Sequence, residues 1–225
     1  MFLTALMSGG GALNAADDWA QIGRYAEANK KIIENNNPEK CKVVFMGNSI
    51  TDEWARLHPS FFTENGFVGR GISGQTTYQF LLRFRDDVIN LHPEAVIING
   101  GTNDIAENNY AYDEDRTFGN IVSMAEMANV NGIKVILSTL PPAANIYWKP
   151  TIKNVPEKIR RMNERLKNYA EEKGYGFIDY FTPLAAPDGS LKKELTKDGI
   201  HPLPSGYDVM EVAALEIINP ILSKE

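Results

Sequence analysis

Along the chain, compact apolar runs alternate with longer stretches whose apolar residues recur at helical spacing. Residues 41–46 (Cys-Lys-Val-Val-Phe-Met), 95–99 (Ala-Val-Ile-Ile-Asn) and 133–137 (Ile-Lys-Val-Ile-Leu) are short runs of the kind that parallel strands show when both faces are covered. Residues 66–70 and 176–179 are weaker strands of the same kind. Between them, residues 20–36 predict a charged surface helix that stops at Asn35-Asn36-Asn37-Pro38. Residues 76–91 predict a helix with apolar Phe80, Leu81, Phe84 and Val88, closed by His92-Pro93. Further helices are expected over 115–130, over 155–172 with Pro156 in the first turn, and over 205–218 with Val209, Val212, Ala213 and Ile217 on one face. This alternation implies a parallel sheet covered by helices on both faces, an α/β fold that binds ligands outside the carboxyl ends of its strands.

Composition narrows the picture. A chain of 225 residues, 43% hydrophobic and 23% charged, suits one soluble domain, expected over residues 17–225. The formal charge of −6 argues against a nucleic-acid or anionic-membrane partner. The single cysteine, Cys41, allows neither an internal disulfide nor a cysteine-ligated zinc, and its place at the head of an apolar run predicts a small buried residue. Residues 1–16 carry an apolar stretch followed by small residues, resembling the back half of a secretory signal without a basic start. The alternative is a disordered tail, and the segment is too short to span a bilayer. Export is the expectation, or a cytoplasmic site if this segment is not a signal.

The polar motifs gather where the chemistry of such a sheet belongs. The first strand runs into Gly47-Asn48-Ser49-Ile50-Thr51, the second into Arg70-Gly71-Ile72-Ser73-Gly74-Gln75-Thr76, and the third into Gly100-Gly101-Thr102-Asn103-Asp104; Asp198-Gly199-Ile200-His201-Pro202 comes near the end. Each has a plain structural account: Ser49 and Asp52 have capping-box-like spacing, and the others read as glycine or Asx turns. Together, in order and at one end of the sheet, they carry more weight. His92 precedes the third strand and lies at the wrong end; His58 lies at the right end but lacks an acid at useful spacing, and is expected at the surface. The three histidines lack the clustering of a metal site, so neither metal nor cofactor is expected.

These four blocks resemble the SGNH hydrolases, a branch of the GDSL esterases and lipases, over residues 43–218. The resemblance implies a flavodoxin-like three-layer α/β/α sandwich on a five-stranded parallel sheet. It also implies Ser49 as nucleophile, His201 as base, Asp198 as the acid orienting it, and an oxyanion hole from Ser49, Gly74 and Asn103. The first block departs from the family's Gly-Asp-Ser by reading Gly-Asn-Ser, which removes a carboxylate but none of these roles. The chemistry is consistent: a serine hydroxyl needs a neighbouring base, imidazoles titrate near neutral pH, and a tetrahedral oxyanion needs preorganised donors.

Other readings fit less well. An α/β-hydrolase elbow is G-x-S-x-G, but Thr51 occupies the second glycine position. A phosphate- or flavin-binding module would need a different glycine pattern. A non-catalytic sugar-binding relative would not need both Ser49 and His201. The stretch 141–150 follows the fourth strand and should overhang the site, where exposed Tyr147 and Trp148 could stack on a sugar ring or simply pack the loop. The expected substrate is therefore an acetyl or other short acyl ester on carbohydrate, with lysophospholipase or acyl-thioesterase activity as the alternative.

Overall fold

The computed structural model describes residues 18–35 and 37–223; the expected signal segment, 1–16, lies outside them. In chain order the elements are α1 (Ala26–Asn35), β1 (Val43–Gly47), α2 (Ser49–Leu57), α3 (Pro59–Asn65), β2 (Phe67–Gly71), α4 (Thr77–Asp87), β3 (Ala95–Ile98), α5 (Thr102–Ile105), α6 (Glu114–Val130), β4 (Lys134–Ser138), α7 (Val155–Lys173), β5 (Gly176–Ile178), α8 (Phe181–Leu184) and α9 (Pro204–Leu222). The five strands form one parallel sheet in the order β2-β1-β3-β4-β5. This is the α/β architecture expected from the alternating pattern.

Each central strand is buried on both sides because its alternate residues feed two separate cores. Val44 and Met46 of β1, with Val96 and Ile98 of β3, pack against Phe80, Phe84, Met124 and Met162 from α4, α6 and α7. Val43, Phe45, Ala95 and Ile97 face the opposite way, onto residues of α2, α3 and α9. Burial of each large apolar side chain contributes about 1.5–3 kcal/mol, and two covered faces explain the continuous rather than alternating runs. In the second core, Trp54 of α2 stacks between Phe61 and Tyr207, with centroids at 5.3 and 5.6 Å, and meets Phe45 edge-on at 5.5 Å. That anchor fixes α2, whose first residue is Ser49.

Several details differ from the sequence expectation. The first helix begins at Ala26, after a 3-10 turn over Ile22–Tyr25, and the helix at 76–91 stops at Asp87, followed by a second such turn. Helices α2 and α3 fill the stretch between the first two strands, where no helix pair was expected. The buried stripe of α9 is Tyr207, Met210, Ala214 and Ile218, whereas Val212 is 60% exposed. That helix is apolar nearly all round, so periodicity alone does not select a face. Cys41 is buried as expected, and burial pushes its thiol up to about 11, with Arg70 opposing. Among the described residues, no helix is long and apolar enough to cross a membrane.

Candidate active site

The sheet order reverses at β1 and β3, and the loops leaving β1, β2 and β3 are neighbours at the carboxyl ends. These loops carry Ser49, Gly74 and Asn103. Ser49 opens α2 directly after β1, and Asn48 caps the helix by accepting from the Ile50 N–H at 3.1 Å. The Asn in Gly-Asn-Ser thus has a local role, because a side-chain oxygen at the N-cap satisfies an otherwise orphaned donor. Asp52 does not complete a capping box; its carboxylate accepts from the Ser73 N–H and hydroxyl at 3.3 and 2.9 Å. Gly71, at the end of β2, presses on the start of α2, where an added Cβ would lie 2.2 Å from the Asp52 nitrogen. Only glycine permits that approach.

The Ser49 hydroxyl lies 2.9 Å from His201 Nε2, and His201 Nδ1 lies 2.8 Å from Asp198 Oδ2. Asp198 Oδ1 accepts from the backbone N–H groups of Ile200 and His201 at 3.0 and 2.8 Å, and Thr196 donates its hydroxyl to the His201 carbonyl at 2.7 Å. One tight turn therefore holds acid and imidazole together. Burial acts to raise the Asp198 carboxyl, but hydrogen bonds from the His201 N–H, its imidazole and the Ile200 N–H outweigh it and leave the group below its ordinary value. An ionised Asp198 can only accept, which assigns the proton to Nδ1 and leaves Nε2 to receive the serine proton. His201 is 9% exposed.

The residues expected to form an oxyanion hole lie on adjoining loops, with Asn103 bonded to the residue that follows Gly74. Among the described residues, the N–H groups of Ser49 and Gly74 have no acceptor. Asn103, 3% exposed, donates from Nδ2 to the Gln75 carbonyl at 2.9 Å, which leaves its second amide proton uncommitted. Gly74 adopts φ +80°, a conformation that disfavours other residues, with open space at its Cβ position. Behind Asn103, the fully buried Asp104 accepts from the Thr77 N–H, the Thr77 hydroxyl at 2.6 Å and the Tyr110 hydroxyl at 3.0 Å. Burial raises the Asp104 carboxyl, and those hydrogen bonds work against it. It ties α5 to the start of α4; the sequence pattern does not single it out, although a carboxylate directly after a candidate oxyanion residue is the available signal.

A second buried network braces the loop that carries Ser49. Arg83, fully buried, donates to the Gly47 carbonyl at 3.1 Å, to Gln75 Oε1 at 2.6 Å and to Asp87 at 2.7 Å. Asn29 of α1 donates to Asp87 at 2.7 Å and accepts from the Arg70 guanidinium at 2.7 and 2.9 Å, while the Tyr25 hydroxyl donates to the Gly71 carbonyl. Gln75 donates to the Ala20 carbonyl at 2.7 Å. Asp87 thus pairs directly with Arg83 and is linked to Arg70 through Asn29, and burial pushes both guanidinium pKa values down while Asp87 opposes the shift.

The loop after β4 does overhang the site. Trp148 lies over His201 with ring centroids 6.5 Å apart and planes 27° from parallel, and Tyr147 meets Trp148 edge-on at 4.8 Å. Tyr147 is 53% exposed as expected, but Trp148 is half-buried because its indole N–H donates to Asn108 Oδ1 at 2.9 Å. His58 also departs from expectation. It caps the far end of α2, about 13 Å of helix from Ser49, and its Nδ1 lies 2.7 Å from Glu211, a partner 153 residues away. With Asp208, these side chains form a His-Asp-Glu cluster between the end of α2 and α9 that local spacing does not reveal.

Residues 45–209 match the GDSL-like Lipase/Acylhydrolase family. The chain is 54% identical to a candidate acylhydrolase from Bacteroides fragilis, and the two structures agree with a TM-score of 0.87 over 91% of this chain and 98% of that one. An acetylxylan esterase from Geobacillus stearothermophilus shares the fold at 22% identity, with a TM-score of 0.61 over 78% of this chain and 93% of that one. A stretch of 78 residues is 40% identical to an uncharacterized lipoprotein of Bacillus subtilis, covering 33% of this chain but only 32% of that protein's length. The family match takes in all four motif blocks and most of the sheet, and the chain belongs to the GDSL-like lipase/acylhydrolase family of hydrolases acting on ester bonds.

Proposed function

We propose that the chain is a serine esterase that removes acetyl or other short acyl groups from carbohydrate. The observation that carries the reading is the continuous contact from Ser49 Oγ through His201 to Asp198, at 2.9 and 2.8 Å, beside three uncommitted N–H donors. His201 Nε2 takes the Ser49 proton as Oγ bonds to the acyl carbon. The carbonyl oxygen becomes an oxyanion that the Ser49 and Gly74 N–H groups and the Asn103 amide receive. His201 then gives its proton to the departing alcohol oxygen, and a water repeats the sequence to release the acid and restore Ser49. Asp198 holds the productive tautomer and stabilises the imidazolium without itself taking the proton.

The substrate class rests on the rim. Exposed Tyr147 and the ring of Trp148 above His201 offer aromatic faces suited to a sugar. The acetylxylan esterase of the same fold acts on an acetylated carbohydrate and supports this choice. The apolar segment at residues 1–16 and the partial likeness to a lipoprotein support export. The test is a panel of p-nitrophenyl esters of increasing acyl length together with an acetylated oligosaccharide. Activity should fall steeply beyond short acyl chains, and Tyr147→Ala should cut kcat/KM on the oligosaccharide about tenfold or more while sparing p-nitrophenyl acetate, because only the larger substrate uses remote binding energy. A preference for long acyl chains with no glycan deacetylation would move the protein to the lysophospholipase or thioesterase alternative.

A further inference from the structure

Asn108 connects three loops through directional hydrogen bonds. Its Oδ1 accepts from the Trp148 indole at 2.9 Å, and its Nδ2 donates to the Gly74 carbonyl at 3.1 Å. Its backbone N–H donates to the Asn103 carbonyl at 3.1 Å. An indole N–H can only donate and a carbonyl can only accept, so both ends of the amide are assigned and a side chain with one donor and one acceptor is required. Asn108 is thereby joined to the loops after β2, β3 and β4, two of which carry candidate oxyanion donors.

The Gly74 N–H belongs to the Ser73–Gly74 peptide, which is planar and turns as a unit. On one side, Asp52 holds the Ser73 N–H; on the other, Asn108 holds the Gly74 carbonyl. The Gln75 N–H closes this turn onto the Ile72 carbonyl at 3.3 Å, but the Ser73–Gly74 peptide at its centre, with a glycine at φ +80° and nothing near its Cβ position, makes no hydrogen bond of its own among the described residues, so its orientation depends on how the flanking peptides are held. We propose that Asn108 is a positioning residue that keeps the Gly74 N–H turned toward the reacting oxyanion, and that Trp148 acts on the same donor through Asn108. The proposal rests on reading Gly74 as an oxyanion donor.

The test uses the full chain and p-nitrophenyl acetate, a substrate too small to need the aromatic rim. Asn108→Ala should lower kcat about 10- to 100-fold with KM changed less than about twofold, since misplacing a preorganised donor weakens the transition state rather than substrate binding. Trp148→Phe, which keeps a ring but removes the indole N–H, should cost about 3- to 10-fold alone and nothing further in the Asn108→Ala background. The direct readout is the Gly74 amide resonance. Reaction with p-nitrophenyl methylphosphonate forms an Oγ–P bond at Ser49, expels p-nitrophenolate and places a charged oxygen in the hole. The wild-type resonance should move downfield, and the Asn108→Ala resonance should move markedly less. Unchanged kcat, a loss confined to KM, or equal shifts in both proteins would overturn the proposal while leaving Ser49 and His201 as read. A wild-type adduct that does not move the Gly74 resonance would remove Gly74 from the hole and the proposal with it. If Asn108→Ala fails to fold, the Trp148→Phe kinetics and resonance decide the question alone.

Discussion

Two histidine–carboxylate pairs in this molecule resemble each other closely until their second ring nitrogen is considered. His201 meets Asp198 at 2.8 Å and His58 meets Glu211 at 2.7 Å, both through Nδ1, and their side chains are 11% and 15% exposed. Each also lies against an aromatic ring, Trp148 for one and Tyr207 for the other. The difference is at Nε2, which reaches the Ser49 hydroxyl in His201 and has no partner among the described residues in His58. Glu211 instead shares its oxygen with the Trp54 indole at 3.1 Å, so the second pair pins the aromatic anchor of α2. A paired acid and imidazole are therefore not enough to mark a catalytic base; the group opposite the free nitrogen decides.

The widest separation should appear in turnover. Ser49→Ala and His201→Ala are each expected to lower kcat by roughly 10⁴–10⁶-fold, and the double mutant should be scarcely worse because the two act as one unit. His58→Ala should leave kcat within about twofold and instead lower stability by about 1–2 kcal/mol in urea unfolding, the cost of removing a charge-assisted partner from Glu211. Near-normal turnover in Ser49→Ala would erase the distinction between the pairs. The carboxylates sharpen it: Asp198→Asn should cost about 10⁴-fold in kcat by disturbing the tautomer, whereas Glu211→Gln should cost almost nothing.

A smaller effect separates the relay from the donors beside it. Asn103→Ala should lower kcat by about 10²–10³-fold, or roughly 3–4 kcal/mol, with KM nearly unchanged. A mutant that chiefly raised KM would assign Asn103 to substrate binding. Smallest is a pH signature. The Asp198 carboxyl is depressed in the folded state, so its stabilisation is complete above the ordinary carboxylate value and fades as pH falls through its own lower value. The stability difference between wild type and Asp198→Asn should be constant above about pH 5 and drift in the destabilising direction for wild type below about pH 4. A difference that does not change with pH would show that Asp198 is not held ionised by this turn.

The sequence was most legible where local pattern and global position agree. The runs containing Val43–Gly47 and Ala95–Ile98 are recognisable because strands covered on both faces have no room for polar alternation. Ser49, Gly74, Asn103 and the Asp198–His201 turn stand out as candidates because their loops follow consecutive strands or lie within three residues of each other. Glu211 and Asn108 could not, since their importance comes from partners 153 and 40 residues away. The overhang of the stretch after β4 is legible, but whether Trp148 stands free or packs is not, because nothing in its own loop announces the Asn108 acceptor. The buried face of α9 was missed for the opposite reason: too many apolar residues surround that helix for one stripe to stand out.

The brace beneath the Ser49 loop bears on how much chain the candidate site needs. The recognisable family segment starts at residue 45, yet Tyr25, Asn29 and the Ala20 carbonyl all precede it. A version trimmed to the family segment would retain Ser49, Gly74, Asn103, Asp198 and His201. It would also leave Arg70 without the Asn29 oxygen and Gln75 without the Ala20 carbonyl, both inside the protein, where unsatisfied polar groups are costly. The shortest chain that carries the motifs is therefore shorter than the shortest chain that supports them, and exchanging catalytic segments between relatives would succeed only if the preceding helix travels with its own pair of buried arginines.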